Sequence, residues 1–201
     1  FKKDKYVVIK NILSKDVVQI AYNYITQKKK VYDLLVDKNI ISPVTNYNYW
    51  GNYDYQVSDT HYASYGDVLM DIILQILKPK IEKKIEIDLV ENYTYTRIYK
   101  TGNELTRHID RPHCEISGTL NLGGDNWPIF LDPTGGKNEK GISINLNAGD
   151  ILLYRGSDLE HWREPFTGKF CVQSFFHYHD KNGQFKDNKK YDERKMLGIP
   201  M

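Results

Sequence analysis

The 201-residue chain carries 28 basic and 26 acidic side chains, a formal net charge of +2, with 40% of its residues hydrophobic and 27% charged. This composition excludes collagen-like, low-complexity and disordered chains, and charge so balanced nominates neither nucleic acid nor an anionic membrane as partner. The length suits one domain with a real core. The two cysteines, Cys114 and Cys171, are too few for a disulfide framework, and no apolar run approaches the ~20 residues of a membrane span, so the expectation is a cytoplasmic protein.

In chain order, Ser14 is positioned to cap a helix whose Val17, Val18, Ala21 and Ile25 recur at helical spacing, with Lys28 to Lys30 near its end. A second short helix is expected from Val31 to Val36. Between Ser42 and Tyr65 the chain is rich in Tyr, Asn, Asp and Gly, including Tyr47, Tyr49, Trp50, Tyr53, Tyr55 and Tyr62. It has no sustained period and reads as an ordered loop. From Gly66 to about Lys84 the residues Val68, Leu69, Ile72, Ile73, Ile76 and Leu77 mark another helix face, with Pro79 expected to kink or end it.

Beyond Ile85 short β-rich runs alternate with turn signals. The runs are Tyr93–Tyr99, Thr106–Ile109, Glu115–Leu122, Pro128–Leu131, Ile142–Leu146, Ile151–Tyr154 and Lys169–Tyr178, broken by glycines such as Gly102, Gly149 and Gly156. This pattern predicts an α+β chain with an all-β core, an antiparallel sandwich or jelly roll buttressed by the N-terminal helices packed on one sheet. As one domain it divides into helical support and loop (1–84), jelly-roll core (85–179) and a polar tail (180–201) that wraps the surface or frays.

Strand alternation puts residues i and i+2 on one face, so His108 and Asp110 project together while Ile109 points away. A jelly roll can bring His161, which follows the Gly149-Asp150 turn and the strand Ile151–Tyr154, opposite them. Two imidazoles and one carboxylate on one side of a metal leave the opposite positions open, the arrangement of non-haem Fe(II) oxygenases. His113 offers a competing zinc pattern, but its odd offset from His108 and the intervening Pro112 put it on the wrong face.

These residues, in this order, resemble the Fe(II)- and 2-oxoglutarate-dependent dioxygenases, particularly the prolyl-4-hydroxylase-like branch. The resemblance runs from about Tyr93 to Tyr178 and is carried by Arg97-Ile98-Tyr99-Lys100-Thr101-Gly102, His108-Ile109-Asp110, Ala148-Gly149-Asp150 and His161-Trp162-Arg163-Glu164-Pro165-Phe166-Thr167-Gly168-Lys169. It implies a double-stranded β-helix, a cupin-like jelly roll, with His108, Asp110 and His161 as iron ligands. It also implies hydroxylation of an unactivated C–H using O₂, with 2-oxoglutarate converted to succinate and CO₂ and ascorbate as an optional addition. Asp110 favours hydroxylation, because related enzymes that bind halide at iron have a small residue there.

The distal carboxylate of 2-oxoglutarate cannot be buried without a cation. By the resemblance Lys169, opening the last core strand, supplies it, although its interval from His161 is slightly short. Arg163 is the rival, since it shares the strand face of His161 and grips a carboxylate through two bonds. Tyr99 and Thr119 are further contacts for the cosubstrate, with Gln173 and Cys171 on the alternating face of Lys169 and Arg97 on that of Tyr99. The expected substrate is a small molecule or peptide, a peptidyl proline or an amino acid. The tyrosine-rich loop either closes over the barrel mouth or packs on the helices, with Trp127, Trp162 and Arg111 near the rim. Two alternatives stay open. One is a cupin-like metal enzyme without 2-oxoglutarate, suggested by Gly102 and His108; the other is a noncatalytic jelly-roll binding module.

Overall fold

The computed structural model describes residues 1–43, 49–54, 57, 61–134 and 140–199. Eleven strands are described: β1 (Tyr6–Ile9), β2 (Asn52–Asp54), β3 (His61–Tyr65), β4 (Leu89–Lys100), β5 (Leu105–His108), β6 (Ile116–Gly124), β7 (Ile129–Leu131), β8 (Ile142–Ile144), β9 (Ile151–Arg155), β10 (His161–Arg163) and β11 (Phe170–Asp180). They form a seven-stranded sheet in the order β1-β9-β6-β11-β4-β3-β2 and a four-stranded sheet in the order β5-β10-β7-β8. Every pairing is antiparallel. The expected helix-buttressed jelly roll is the fold.

Two helices, α1 (Lys15–Asp37) and α2 (Val68–Ile85), cover the outer face of the large sheet. β11 shows how alternation divides the layers: Val172, Phe176 and Tyr178 join Ile25, Leu74 and Leu77 of the helices in the main core. Cys171 and Phe175 turn inward against Leu105 and Trp127. Burying each such aliphatic or aromatic side chain contributes about 1.5–3 kcal/mol, so the helices fix the large sheet from behind and leave its inner face to build a site.

Several local expectations are corrected. The two expected helices before Val36 are one, because Lys28 is no end signal. Its ammonium is buried on the Asp67 carboxylate at 2.5 Å and on Ser64 at 3.1 Å, tying α1 to the start of α2. Asp67 also caps α2, accepting from the Leu69 and Met70 amides. Pro79 lies on the exposed face of α2, and the helix runs past it to Ile85, ending at Glu86 with φ 57°. The first third also supplies three strands not expected there: β1 pairs with β9, and β2 and β3 extend the large sheet beyond β4. Tyr53 and Tyr62 pack edge-on against Tyr32 of α1. Tyr47 and Tyr55 lie outside the described residues.

The tail is pinned to the body. Asp71, 1% exposed, accepts from Thr94, Arg194 and the Gly198 amide. Tyr191, Asp192 and Glu193 have φ of 59°, 56° and 69°, a left-handed run of non-glycine residues. It holds the Asp192 carboxylate on Arg111 and on the Tyr65 hydroxyl. No helix among the described residues is long and apolar enough to cross a membrane.

Candidate metal centre

His108 closes β5 and His161 opens β10, and the two are register partners across the small sheet, with ring centroids 4.3 Å apart. Asp110 stands just past the end of β5, in a turn fixed by its amide, which donates to the Gly156 carbonyl at 2.8 Å. The ligand-capable atoms of His108, Asp110 and His161 all lie within 4.8 Å of one another. Asp110 Oδ1 is 3.5 Å from His161 Nε2 and 3.7 Å from His108 Nε2.

The backbone sets both tautomers. His108 Nδ1 lies 2.7 Å from the Thr106 carbonyl and His161 Nδ1 lies 3.0 Å from the Leu159 carbonyl. A carbonyl only accepts, so each Nδ1 carries the proton and each Nε2 turns its lone pair to the centre. Burial opposes ionisation of Asp110, but whenever the facing Nε2 atoms also take up protons the His161 charge and hydrogen bonds from both imidazoles hold it well below the usual carboxylate range. Burial likewise pulls the His108 pKa down, and its contacts with Asp110 and the Thr106 carbonyl more than offset that, raising it. Two neutral imidazoles and an ionised carboxylate converging from one side fit a divalent metal of intermediate softness.

The carboxylate is braced behind as well. Asp110 Oδ2 accepts from Ser117 Oγ at 2.6 Å, and Ser117 Oγ also lies 3.0 Å from His177 Nδ1. Gly156 makes room: a Cβ there would overlap the Asp110 carboxylate and come within 2.5 Å of the Cys114 carbonyl and 2.7 Å of Ser117 Oγ. Arg107, on the other face of β5, bridges Asp132 and Glu160 and locks β5 to the adjoining strands.

In front of His108, Asp110 and His161 a cavity of about 400 Å³ opens, walled by Tyr65, Tyr93, Tyr95, Leu105, Ile129, Tyr154 and Phe175, with Asp54, Arg97, Arg111 and His177 among its polar lining. Arg97 is held by Asp54 and Arg111 by Asp192. The tyrosine-rich segment thus reaches the cavity through Asp54, while Tyr53 and Tyr62 serve α1.

The remaining expected residues are placed as follows. Arg163 is 1% exposed, over the Trp127 ring and beside Tyr99, Cys171 and Tyr154. Its Nη1 donates to the Trp127 carbonyl, while Nε and Nη2 are buried with no hydrogen-bond partner among the described residues. Lys169, ranked first from sequence, is exposed on the exterior ahead of β11, its amide donating to Asp125. A cation there stays hydrated and does not face the interior. Tyr99 is fully buried, edge-on to Trp127, and Thr119 is buried with its hydroxyl 3.5 Å from Gln173 Oε1. Trp127 and Trp162 are buried rather than at the rim, Trp162 stacked on Phe130. His113 sits in a 3₁₀ turn (Pro112–Cys114), its Nε2 3.8 Å from Asp192, and is not part of the triad. Sequence reasoning missed Ser117, Gly156, Asp54 and His177. Only the last was signalled, by extending the alternation Cys171, Gln173 along β11 to Phe175 and His177.

Neither a protein-family model nor a curated protein sequence matches the chain. Solved structures do. A Pseudomonas putida prolyl-4-hydroxylase aligns with a TM-score of 0.58 at 14% identity, over 88% of this chain and 92% of that one. The non-haem α-ketoglutarate-dependent epimerase SnoN from nogalamycin biosynthesis aligns with a TM-score of 0.65 at 12% identity, over 100% and 91%. EctD from S. alaskensis, with bound Fe, aligns with a TM-score of 0.63 at 15% identity, over 99% and 80%. At such identities the likeness establishes the fold that these proteins share with the chain.

Proposed function

We propose that the chain is an Fe(II)- and 2-oxoglutarate-dependent oxygenase that hydroxylates a C–H bond of a small-molecule or peptide substrate. The observation that carries this reading is the convergence of His108 Nε2, His161 Nε2 and Asp110 Oδ1 from one side of a cavity. The neighbours named as a prolyl-4-hydroxylase, an α-ketoglutarate-dependent epimerase and an iron-bound protein support the reaction class without choosing a substrate.

The three ligand residues would hold the ferrous ion, and Arg163 would hold the distal carboxylate of 2-oxoglutarate. Nε and Nη2 form the side-on edge of a guanidinium, which matches both oxygens of a carboxylate. Leaving two N–H groups buried and unpaired costs about 1–3 kcal/mol each, a penalty that a carboxylate ligand removes. Burial also lowers the Arg163 pKa, and a bound anion would offset that lowering. Arg163 is two residues from His161 on one strand, about 7 Å along it, a span comparable with a five-carbon diacid. Bound iron and 2-oxoglutarate would supply O₂ activation coupled to oxidative decarboxylation, releasing succinate and CO₂. The chain's own work is to fix the ligand tautomers through Thr106 and Leu159, to keep Asp110 ionised, and to exclude water with Leu105, Ile129 and Phe175.

The test is anaerobic addition of Fe(II) and then 2-oxoglutarate to the folded protein. A weak visible charge-transfer band needing both additions is expected, followed by succinate release on admitting O₂. Metal binding with no 2-oxoglutarate-dependent band and no succinate would refute the assignment and favour a cupin-like metal protein.

A further inference from the structure

Beyond the metal ligands, the inner face of β11 brings His177 to the cavity wall, 6% exposed, with the Tyr93 ring against it at 4.5 Å between centroids. The hydrogen bonds around Ser117 decide which of its nitrogens bears the proton. A metal-ligating carboxylate is ionised and only accepts, so the 2.6 Å contact between Ser117 Oγ and Asp110 Oδ2 uses the serine's single proton. At 3.0 Å from that same oxygen, His177 Nδ1 must therefore be the donor. The chain of protons runs His177 Nδ1–H to Ser117 Oγ–H to Asp110. A neutral imidazole has one N–H, so Nε2 is left with its lone pair; the side-chain hydrogen bond of His177 among the described residues is made by Nδ1. Neutrality agrees with burial, which pushes His177 down to about 4, with Arg111 and His161 acting in the same direction and Asp110 and Asp192 opposing it.

Several of the cavity's other polar groups are already engaged with neighbours. Tyr65 donates to Asp192, Tyr95 donates to Asp54, and the Tyr93 hydroxyl pairs with Cys114 Sγ. Arg97 and Arg111 are held by Asp54 and Asp192.

We propose that His177 Nε2 is a specificity-determining acceptor, binding a hydroxyl or amine N–H of a small, partly apolar substrate beside the carbon to be oxidised; this rests on the oxygenase reading above. The cavity of about 400 Å³ must also admit the cosubstrate, so the substrate is an alcohol or amine of modest size whose apolar part lies on Tyr65, Tyr95 and Phe175. A pocket built to accept a substrate O–H or N–H rejects the analogue lacking it, because the buried acceptor is then stranded.

Two measurements on different forms of the protein test this. In the metal-free protein, ¹⁵N–¹H long-range correlation of the imidazoles, with His177 assigned through His177→Asn, should find Nδ1 protonated and Nε2 unprotonated at neutral pH. A protonated Nε2 overturns the proposal. Matched alcohols and methyl ethers, and amines and their quaternary N-methylammonium counterparts, L-proline and N,N-dimethyl-L-proline among them, are then titrated into the same sample. A parent compound should shift the His177 Nε2 resonance upfield and its methylated partner should not; a panel in which no parent does so also overturns the proposal. With Fe(II) and 2-oxoglutarate, the effective parent should stimulate succinate release at least about 10-fold more than its methylated partner, a ratio that His177→Asn brings near one. Equal stimulation by both partners in the wild type counts against the acceptor role. A parent that shifts Nε2 while no succinate forms under any condition refutes the oxygenase reading and leaves the acceptor standing.

Discussion

Gly156 and Asp110 meet across two turns: the Gly156 carbonyl accepts the Asp110 amide, and the missing side chain at Gly156 is the space that the Asp110 carboxylate occupies. Gly156→Ala should therefore displace Asp110, the third of the candidate metal ligands. The crowding costs about 1–3 kcal/mol, read as a lower denaturation midpoint. It should also weaken Fe(II) binding by at least about 10-fold, measured by anaerobic titration.

The triad itself gives a sharper expectation. His108→Ala, Asp110→Ala and His161→Ala should each lower iron affinity by more than about 100-fold and abolish succinate release, with the far-ultraviolet circular dichroism unchanged. A variant that keeps full iron content and turnover removes its residue from the ligand set.

Arg163 and Lys169 separate by burial. Arg163→Met should raise the KM for 2-oxoglutarate by about 100-fold, whereas Lys169→Ala should change it less than about 2-fold, because only the first removes a desolvated cation. Arg97→Met is the control: Arg97 also lines the cavity but is already paired with Asp54. A larger loss there would move the carboxylate site to Arg97.

Stability should fall with acid through the window set by His177. Its pKa is about 4 in the fold, against an ordinary 6.5. Between those values the unfolded chain binds the proton and the native one does not. The contribution is complete above pH 6.5, is lost as pH falls toward 4, and amounts to about 3 kcal/mol. Denaturant unfolding of metal-free wild type and His177→Asn across this range checks it; parallel pH curves would refute it.

The tail anchor is testable separately. Arg194→Ala would leave Asp71, 1% exposed, without its cationic partner. The expected cost is about 3 kcal/mol, a melting temperature lower by about 10 °C in thermal unfolding.

The convergence of His108, Asp110 and His161 was legible because it is written at short range: His108 and Asp110 are separated by the strand period, and a Gly-Asp turn and an apolar strand announce His161. What long-range contact decides was not legible. Lys28 looked like the end of a helix because its partner, Asp67, comes from the start of another. β2 and β3 lacked a period because Tyr53 and Tyr62 face α1, while Asp54 turns to Arg97. The burial of Arg163 and the exposure of Lys169 were not legible, because β10 is a three-residue strand too short to show alternation. Ser117 is an ordinary serine in a strand until Asp110 and His177 are seen on either side of it.

β11 lies between β4 and β6 and pairs with both along most of its length. A ribosome that has not yet released this strand holds a nascent chain whose two longest partners present bare edges, with nothing to join them. The candidate ligands His108, Asp110 and His161 are all translated before β11, yet the sheet that shapes their surroundings closes only when it arrives. Metal loading during biosynthesis should thus follow, not precede, docking of this last strand.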